Sequence, residues 1–336
     1  MYDKLIKIGV LPALLLVVAA LFPMFAGGYY VQFASKAMLM AVLALSLNLV
    51  VGFGGLVSLC HGAFFGLAGY MLAFMSPEDG GALIWLSLPA TLVVVGIVAG
   101  AIGAMSLRTR GIYFIMVTLA FGEMLYYLFH DTKIGGGSDG AYIYFKPEVL
   151  LGTYVLVDLD STRSFYYVVL ACLVGAVVLV TALVRSPFGH ALQAAKNNER
   201  RALSLGFPVF RVRLIAFVVS AMMAGLAGYF SAAQFGFIAP QMLGWHVSAT
   251  VLVMVVLGGM SSILGPIFGA LALLGLEEVL KSFFEHWKLI KGLVIIALVF
   301  ALPGGLQQLT ALLLPKQAPT PDEPAPVRDR EAVQNV

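Results

Sequence analysis

The residues that could do chemistry are few, and they are scattered through an otherwise oily chain. Glu123 falls near the middle of an apolar stretch, 111–130. An ionisable group at that depth in a membrane must face a cavity or a partner rather than lipid. It either lines a translocation pathway or makes a structural hydrogen bond to a neighbouring helix. His61, in "SLCHGAFFGLAGY", poses the same choice. Ser58, Thr118, Gly258 and Gly259 complete the set of candidate pathway residues. The run "GGGSDG", with Gly136, Gly137, Ser138 and Asp139, holds too many glycines for a helix interior. It forms either a backbone cradle offering N–H groups to a polar ligand or protein, or a plain flexible loop. In "VLGGMSSILGPIFGA", Gly258, Gly259, Gly265 and Pro266 together predict a broken helix.

Soluble chemistry is not indicated. There is no G-x-x-x-x-G-K-[ST] phosphate loop, no H-E-x-x-H and no G-x-S-x-G elbow. His61, His130, His190, His246 and His286 are too dispersed to suggest a metal site. Cys60 and Cys172 lie in apolar runs without a metal or redox spacing and read as small hydrophobes. A net charge of +3 leaves no nucleic-acid footprint. The expectation is a protein with no catalytic residue, no metal and no cofactor of its own.

The elements that must position these residues are membrane helices. Of 336 residues, 61% are hydrophobic and 11% charged, against roughly 25% charged in a soluble chain. No Asp, Glu, Lys or Arg occurs in 8–35, 37–77, 80–107, 164–184, 214–276 or 292–315. Several of these runs exceed the roughly 20 residues a helix needs to cross the hydrocarbon core. Candidate spans are 5–26, 33–52, 57–76, 82–106, 111–130, 164–184, 211–235, 246–260, 264–284 and 289–312. The expected fold is all-α and polytopic, with about 8–10 membrane helices including short or broken ones. Small-residue pairs, Gly62 with Gly66, Gly225 with Gly228, and Gly265 with Gly269, mark close helix packing.

Basic residues set the orientation. Lys4 and Lys7 place the N-terminus in the cytoplasm, and Arg108, Arg110 and the 185–213 window mark cytoplasmic loops. Glu78 and Asp79 face outward, as does the loop 131–163. Lys281 and Lys291 fit this scheme poorly, since ten spans would place them outside. The N-terminal run lacks a signal-peptidase site and reads as a retained span. The membrane-helical region covers 1–314, and the proline-rich, charged 315–336 reads as a disordered cytoplasmic tail.

One polar segment stands apart: "SPFGHALQAAKNNERRALSLGFP". With Arg185, Arg211 and Arg213 beside it, it holds Lys196, Arg200 and Arg201, six of the chain's 20 Lys and Arg. Pro187 suits a helix start and Gly206 its stop, so a helix over about 187–206 is predicted. Its apolar ends and polar centre suit docking to a soluble partner; the alternative is an interfacial helix on anionic lipid.

The chain resembles the permease subunits of branched-chain amino-acid ABC importers, a family that includes urea and other amide permeases. The likeness runs from about Ser46 to Leu306 and is carried by "SLNLVVGFGGLVSLCHGAFFGLAGYMLA", "RGIYFIMVTLAFGEMLYY", "GGGSDG", the polar segment above, "GFIAP", "VLVMVVLGGMSSILGPIFGA" and "PGGL". The resemblance implies inward translocation of Leu, Ile or Val, with urea or a short-chain amide as the alternative solute. A stand-alone secondary carrier would need no docking helix. It further implies a paralogous permease partner, two cytoplasmic ATP-binding subunits, a periplasmic or lipid-anchored solute-binding protein, and a bacterial or archaeal cytoplasmic membrane with both termini inside. ATP would be bound by the partners. On the same resemblance 190–206 is a coupling helix, its contacts drawn from Ala194, Ala195, Asn197, Asn198, Glu199, Arg200, Arg201 and Gly206. The E-A-A-x-x-x-G pattern of ABC importers is not followed here; Arg200, Arg201 and Ala202 lead to Gly206 instead.

Overall fold

The computed structural model describes residues 16–77, 80–151, 154–260, 262–301 and 305. The tail read over 315–336, the first span before residue 16, the end of the last span and the outward pair Glu78–Asp79 lie outside the described residues. The chain is a succession of helices. A short α1 (Leu16–Phe25) leads into α2 (Gly28–Asn48), which continues through a π-helical turn, Leu49–Phe53. An irregular stretch over 54–60 precedes α3 (His61–Met75). Then come α4 (Ile84–Ser106), α5 (Ile112–Asp131) and α6 (Thr162–Arg185). Two short polar helices follow, α7 (Pro187–Asn197) and α8 (Glu199–Ser204). The described helices continue with α9 (Val209–Phe235), α10 (Trp245–Gly258), α11 (Gly265–Phe283) and α12 (Trp287–Ala301). Among the described residues, six helical stretches are long and apolar enough to cross a membrane. The chain is therefore a multi-pass, all-α membrane protein, and each expected span, over its described residues, overlaps a helix.

Burial sorts these helices in a way that apolarity does not. Of the best apolar window in each, 83% is buried inside the protein for the α2 stretch but 17% for α6. Lipid tails are as apolar as leucine, so no hydrophobic force draws an apolar helix inward; close packing of small residues does. The α9 face bearing Ala221, Ala224, Gly225, Ala227 and Gly228 is buried. A Cβ on Gly228 would lie 1.9 Å from the Phe65 carbonyl oxygen, so α3 and α9 touch backbone to backbone. Gly62 and Gly66 likewise abut Gly244 and Leu243.

Between α5 and α6 the expected outer loop folds into a small cap. The strand β1 (Ala141–Tyr142) is followed by a hairpin of β2 (Val149–Leu151) with β3 (Tyr154–Val157). After α9, β4 (Phe237–Ile238) pairs antiparallel with β1, Ala141 opposite Ile238. At the α11–α12 turn, Glu277 binds both Lys281 (2.7 Å) and Lys291 (2.6 Å). The two lysines that fitted the orientation scheme poorly are thus paired with a carboxylate.

One expectation is corrected. The helix predicted over about 187–206 is two helices, bent at Asn198, which adopts an extended conformation (φ −156°, ψ 99°). The Arg201 N–H donates to Asn198 Oδ1 at 3.0 Å, so Asn198 caps α8 instead of continuing α7. Asparagine is among the best N-caps, and Glu199 in the first turn faces the positive helix end. The start is as expected: Ser186 caps α7, accepting from the Gly189 N–H at 3.3 Å, with Pro187 in the first turn.

Candidate functional site

The heads of α3 and α10 lie side by side, that of α3 buried at His61 and that of α10 exposed at Trp245. An α-helix rises about 1.5 Å per residue, so α3, with 15 residues, is about 22 Å long and cannot span the roughly 30 Å hydrocarbon core. Gly55 and Leu56 still donate back to Val51 and Val50, but beyond them the backbone of 57–60 is not helical. Such backbone is tolerated only where protein or water satisfies it. Here side chains from other helices do so. Leu59 N–H donates to Thr118 Oγ1 (3.3 Å), and Gly62 N–H donates to Ser248 Oγ (2.8 Å).

His61, fully buried at the head of α3, organises this region. Ser220 Oγ donates to the Ser46 carbonyl (2.5 Å), which uses its one proton. Its oxygen therefore accepts from His61 Nε2–H at 2.7 Å. His61 Nδ1 then faces Ser58 Oγ at 3.3 Å, and Ser58 Oγ also accepts from the Cys60 N–H. A single imidazole thus joins the end of α2, the irregular stretch and α9.

Glu123 lies about 16 Å along α5 from Ile112 at 1.5 Å per residue. Its Oε1 accepts from the Trp245 N–H at 3.0 Å, the first residue of α10. The carboxylate therefore sits at a helix N-terminus, where the backbone partial charge is positive. Next to Glu123, Gly122 lies against Cys60, and one turn after Trp245, Ser248 of α10 binds Gly62. So Ser58, His61, Thr118 and Glu123 come together where α3 and α10 begin. Gly258 and Gly259 do not join them. They end α10 against α11, where a Cβ on Gly258 would meet the Gly265 carbonyl oxygen at 2.0 Å. The "GGGSDG" run is seated at the C-terminal end of α5. Gly135, Gly136 and Gly137 all take positive φ, a conformation that other residues rarely adopt, and Gly135 rests on the Tyr70 ring. Ser138 and Asp139 are exposed, Ser138 Oγ donating to Asp139 Oδ1 at 3.3 Å.

On the polar side, α7 and α8 divide their charges. Glu199 binds Arg110 of the α4–α5 turn (2.9 Å) and Arg213 of α9 (3.0 Å), and Arg213 also donates to the Ala195 carbonyl (3.2 Å). The two basic segments that the sequence places on one side of the membrane are thus in contact. Ala195 and Ala202 are buried against Val209, with Ala194 packed at the edge of that cluster. Asn197, Asn198, Arg200, Arg201 and Gly206 are exposed. Beside them Leu203, Leu205, Phe207 and Phe210 are exposed as well. Leu203 and Leu205 are the apolar end expected of the docking segment; Phe207 and Phe210, which extend it, were not singled out in the sequence. The available signal was their position outside every span.

The comparisons agree with this architecture. The family model for "Branched-chain amino acid transport system / permease component" matches residues 29–301. The high-affinity branched-chain amino acid transport system permease protein LivM of Salmonella typhimurium is 32% identical over 315 residues, covering 88% of this chain and 74% of that protein. LivM of Escherichia coli K12 is 31% identical over the same shares. The permease protein LivH of Escherichia coli K12, of the same named system, is 24% identical over 79% of this chain and 90% of its own length. No solved structure shows significant similarity to the chain.

Proposed function

Because this chain belongs to the family of branched-chain amino acid transport system permease components, we propose that it carries Leu, Ile or Val inward across a bacterial or archaeal cytoplasmic membrane as one of two homologous permease subunits. LivM and LivH bear the same system name in one organism, and both are similar to this chain, which supports a paired permease. The remaining partners are two cytoplasmic ATP-binding subunits and a periplasmic or lipid-anchored solute-binding protein. ATP is bound by the partners, and both termini lie in the cytoplasm.

The observation that carries the coupling role is the exposed knob of α8 and the turn after it. Arg200 and Arg201 rim Leu203, Leu205 and Phe207, while Glu199 is held inward by Arg110 and Arg213. An apolar groove with an acidic rim on a soluble subunit fits both the basic and the apolar groups; anionic lipid would fit them too, and membership of a transport-system permease family supports the first. Alternating access then follows from differential contacts at this surface in the two states.

The solute meets the starts of α3 and α10. A zwitterion presents its carboxylate to N–H groups at helix N-termini and its ammonium to Glu123. Those groups are now bonded to one another, so the solute passes by exchanging these hydrogen bonds.

The test is uptake of labelled leucine and labelled urea into vesicles holding the chain with its transport partners, with and without internal ATP. ATP-dependent leucine uptake is expected. Urea uptake would move the solute assignment, and ion-driven uptake by the chain alone would remove the ABC reading. Arg200→Glu with Arg201→Glu is expected to cut leucine uptake about tenfold or more, since charged contacts contribute roughly 1.5–3 kcal/mol each. Membrane insertion should be unaffected; unchanged uptake would remove the docking role.

A further inference from the structure

One side chain of the polar helix pair, itself exposed, is hydrogen-bonded to the turn that ends α2. Lys196, at the end of α7, extends its ammonium to the Gly52 carbonyl oxygen at 2.6 Å. Its stem runs across Gly55, and Leu192 lies on Gly54. Gly52 belongs to the π-helical turn that ends α2. The N–H groups beyond that turn bond elsewhere, Gly55 to Val51 and Leu56 to Val50. Among the described residues no backbone N–H takes the Gly52 carbonyl, and Lys196 is its donor.

The other side of Gly52 touches the second irregular segment. A Cβ on Gly52 would fall 2.2 Å from the Met260 carbonyl oxygen. One turn earlier, Asn48 Nδ2 donates to the Ser262 carbonyl at 2.8 Å. The end of α2 is therefore where the break before α3 and the break between α10 and α11 meet. Leu192 and Ala191 also pack near Phe53 of that turn, but the other described side-chain hydrogen bonds joining α7 and α8 to the rest of the protein go elsewhere: Glu199 to Arg110 and Arg213, Arg213 to the Ala195 carbonyl, and Gln193 Nε2 to the Val184 carbonyl. Those ties hold the pair to the membrane surface. Only the lysine, among the described hydrogen bonds, ties it to the junction of the two breaks.

We propose that Lys196 is a positioning residue for translocation, the strut by which displacement of α7 and α8 moves the junction of the two broken segments. This rests on the docking role proposed above. A strut differs from a docking contact: removing it leaves the partners bound and ATP hydrolysis running, while the membrane segments no longer follow.

Lys196→Met keeps the apolar stem and removes the donor; Lys196→Arg keeps a cation and donors. In vesicles with the full set of partners, Lys196→Met is expected to retain co-purifying subunits and basal ATP hydrolysis. Leucine taken up per ATP should fall about tenfold or more, the scale of a lost charge-assisted hydrogen bond. Lys196→Arg should restore most of it. Unchanged uptake per ATP in Lys196→Met would overturn the proposal, and so would loss of partners in proportion to uptake, which marks a docking contact. Hydrogen exchange on the purified chain tests the strut without transport. Backbone exchange over 52–57 and 259–263 should rise together in Lys196→Met while α4 and α9 stay protected. A rise at neither segment sinks the strut, whereas wild-type vesicles with no ATP-driven uptake sink the transport reading alone.

Discussion

The two broken segments face the same physical problem and solve it differently. Backbone groups freed at membrane depth need partners, because lipid offers none. Around 46–62 the partners are side chains from separate helices: Ser220 for the Ser46 carbonyl, Lys196 for Gly52, Thr118 for Leu59 and Ser248 for Gly62. Around 258–269 the solution is mostly glycine. Gly258 lies on Gly265, Gly269 lies on the Met254 carbonyl, and Gly305 lies on Gly259. Side-chain hydrogen bonds can be exchanged for others, with a solute or a shifted helix. Backbone packed on backbone has no rotamer to give. The first segment therefore has more ties that can be exchanged than the second, although Gly52 too rests on the Met260 carbonyl.

This contrast can be broken first at its rigid end. A Cβ on Gly269 would sit 1.9 Å from the Met254 carbonyl oxygen, with no side chain able to move aside. Gly269→Val is expected to yield no folded, detergent-soluble protein by size-exclusion chromatography. That exceeds the about 1–3 kcal/mol that yielding cores lose on overpacking. Gly275→Val, in the same helix with nothing within 4 Å, is expected to behave as wild type. Recovery of both variants in equal yield would mean the second break is as adaptable as the first.

The next effect lies in the side-chain-tied segment. His61→Leu leaves Ser220 and Ser58 without their shared partner. It should fold, with stability lowered by about 1–3 kcal/mol, read as a lower melting point in detergent. A collapse in yield like that expected for Gly269→Val would remove the distinction. The smallest effect on stability belongs to Glu123→Gln. The amide oxygen still accepts from the Trp245 N–H, so the loss should stay below about 1 kcal/mol. Leucine uptake should nevertheless fall several-fold with assembly intact; lost assembly would reduce Glu123 to a helix cap.

Much of the site was legible as residues but not as partners. His61 and Glu123 stand out because polar groups are rare in these runs. Their contacts, Ser220 and Trp245, lie 159 and 122 residues away. No local pattern reveals such pairings. The bend at Asn198 had a signal, an asparagine followed by an acidic first turn, but a continuous polar run hides a cap in its middle. The strut from Lys196 to Gly52 had none, because the π-helical turn that frees the carbonyl depends on how α2 meets Met260 and Ser262.

The sequence by itself determined that this protein is a set of membrane helices in a given order. Hydrocarbon admits only apolar stretches of sufficient length with their backbone bonded internally. Which helices form the centre was decided only in the tertiary structure. The most apolar of the six membrane-crossing stretches, α6, is the least buried, and α2, less apolar, is the most buried. In lipid, apolarity carries no preference for the interior. Position is set by close packing and by polar groups that must find one another, and both depend on residues distant in the chain.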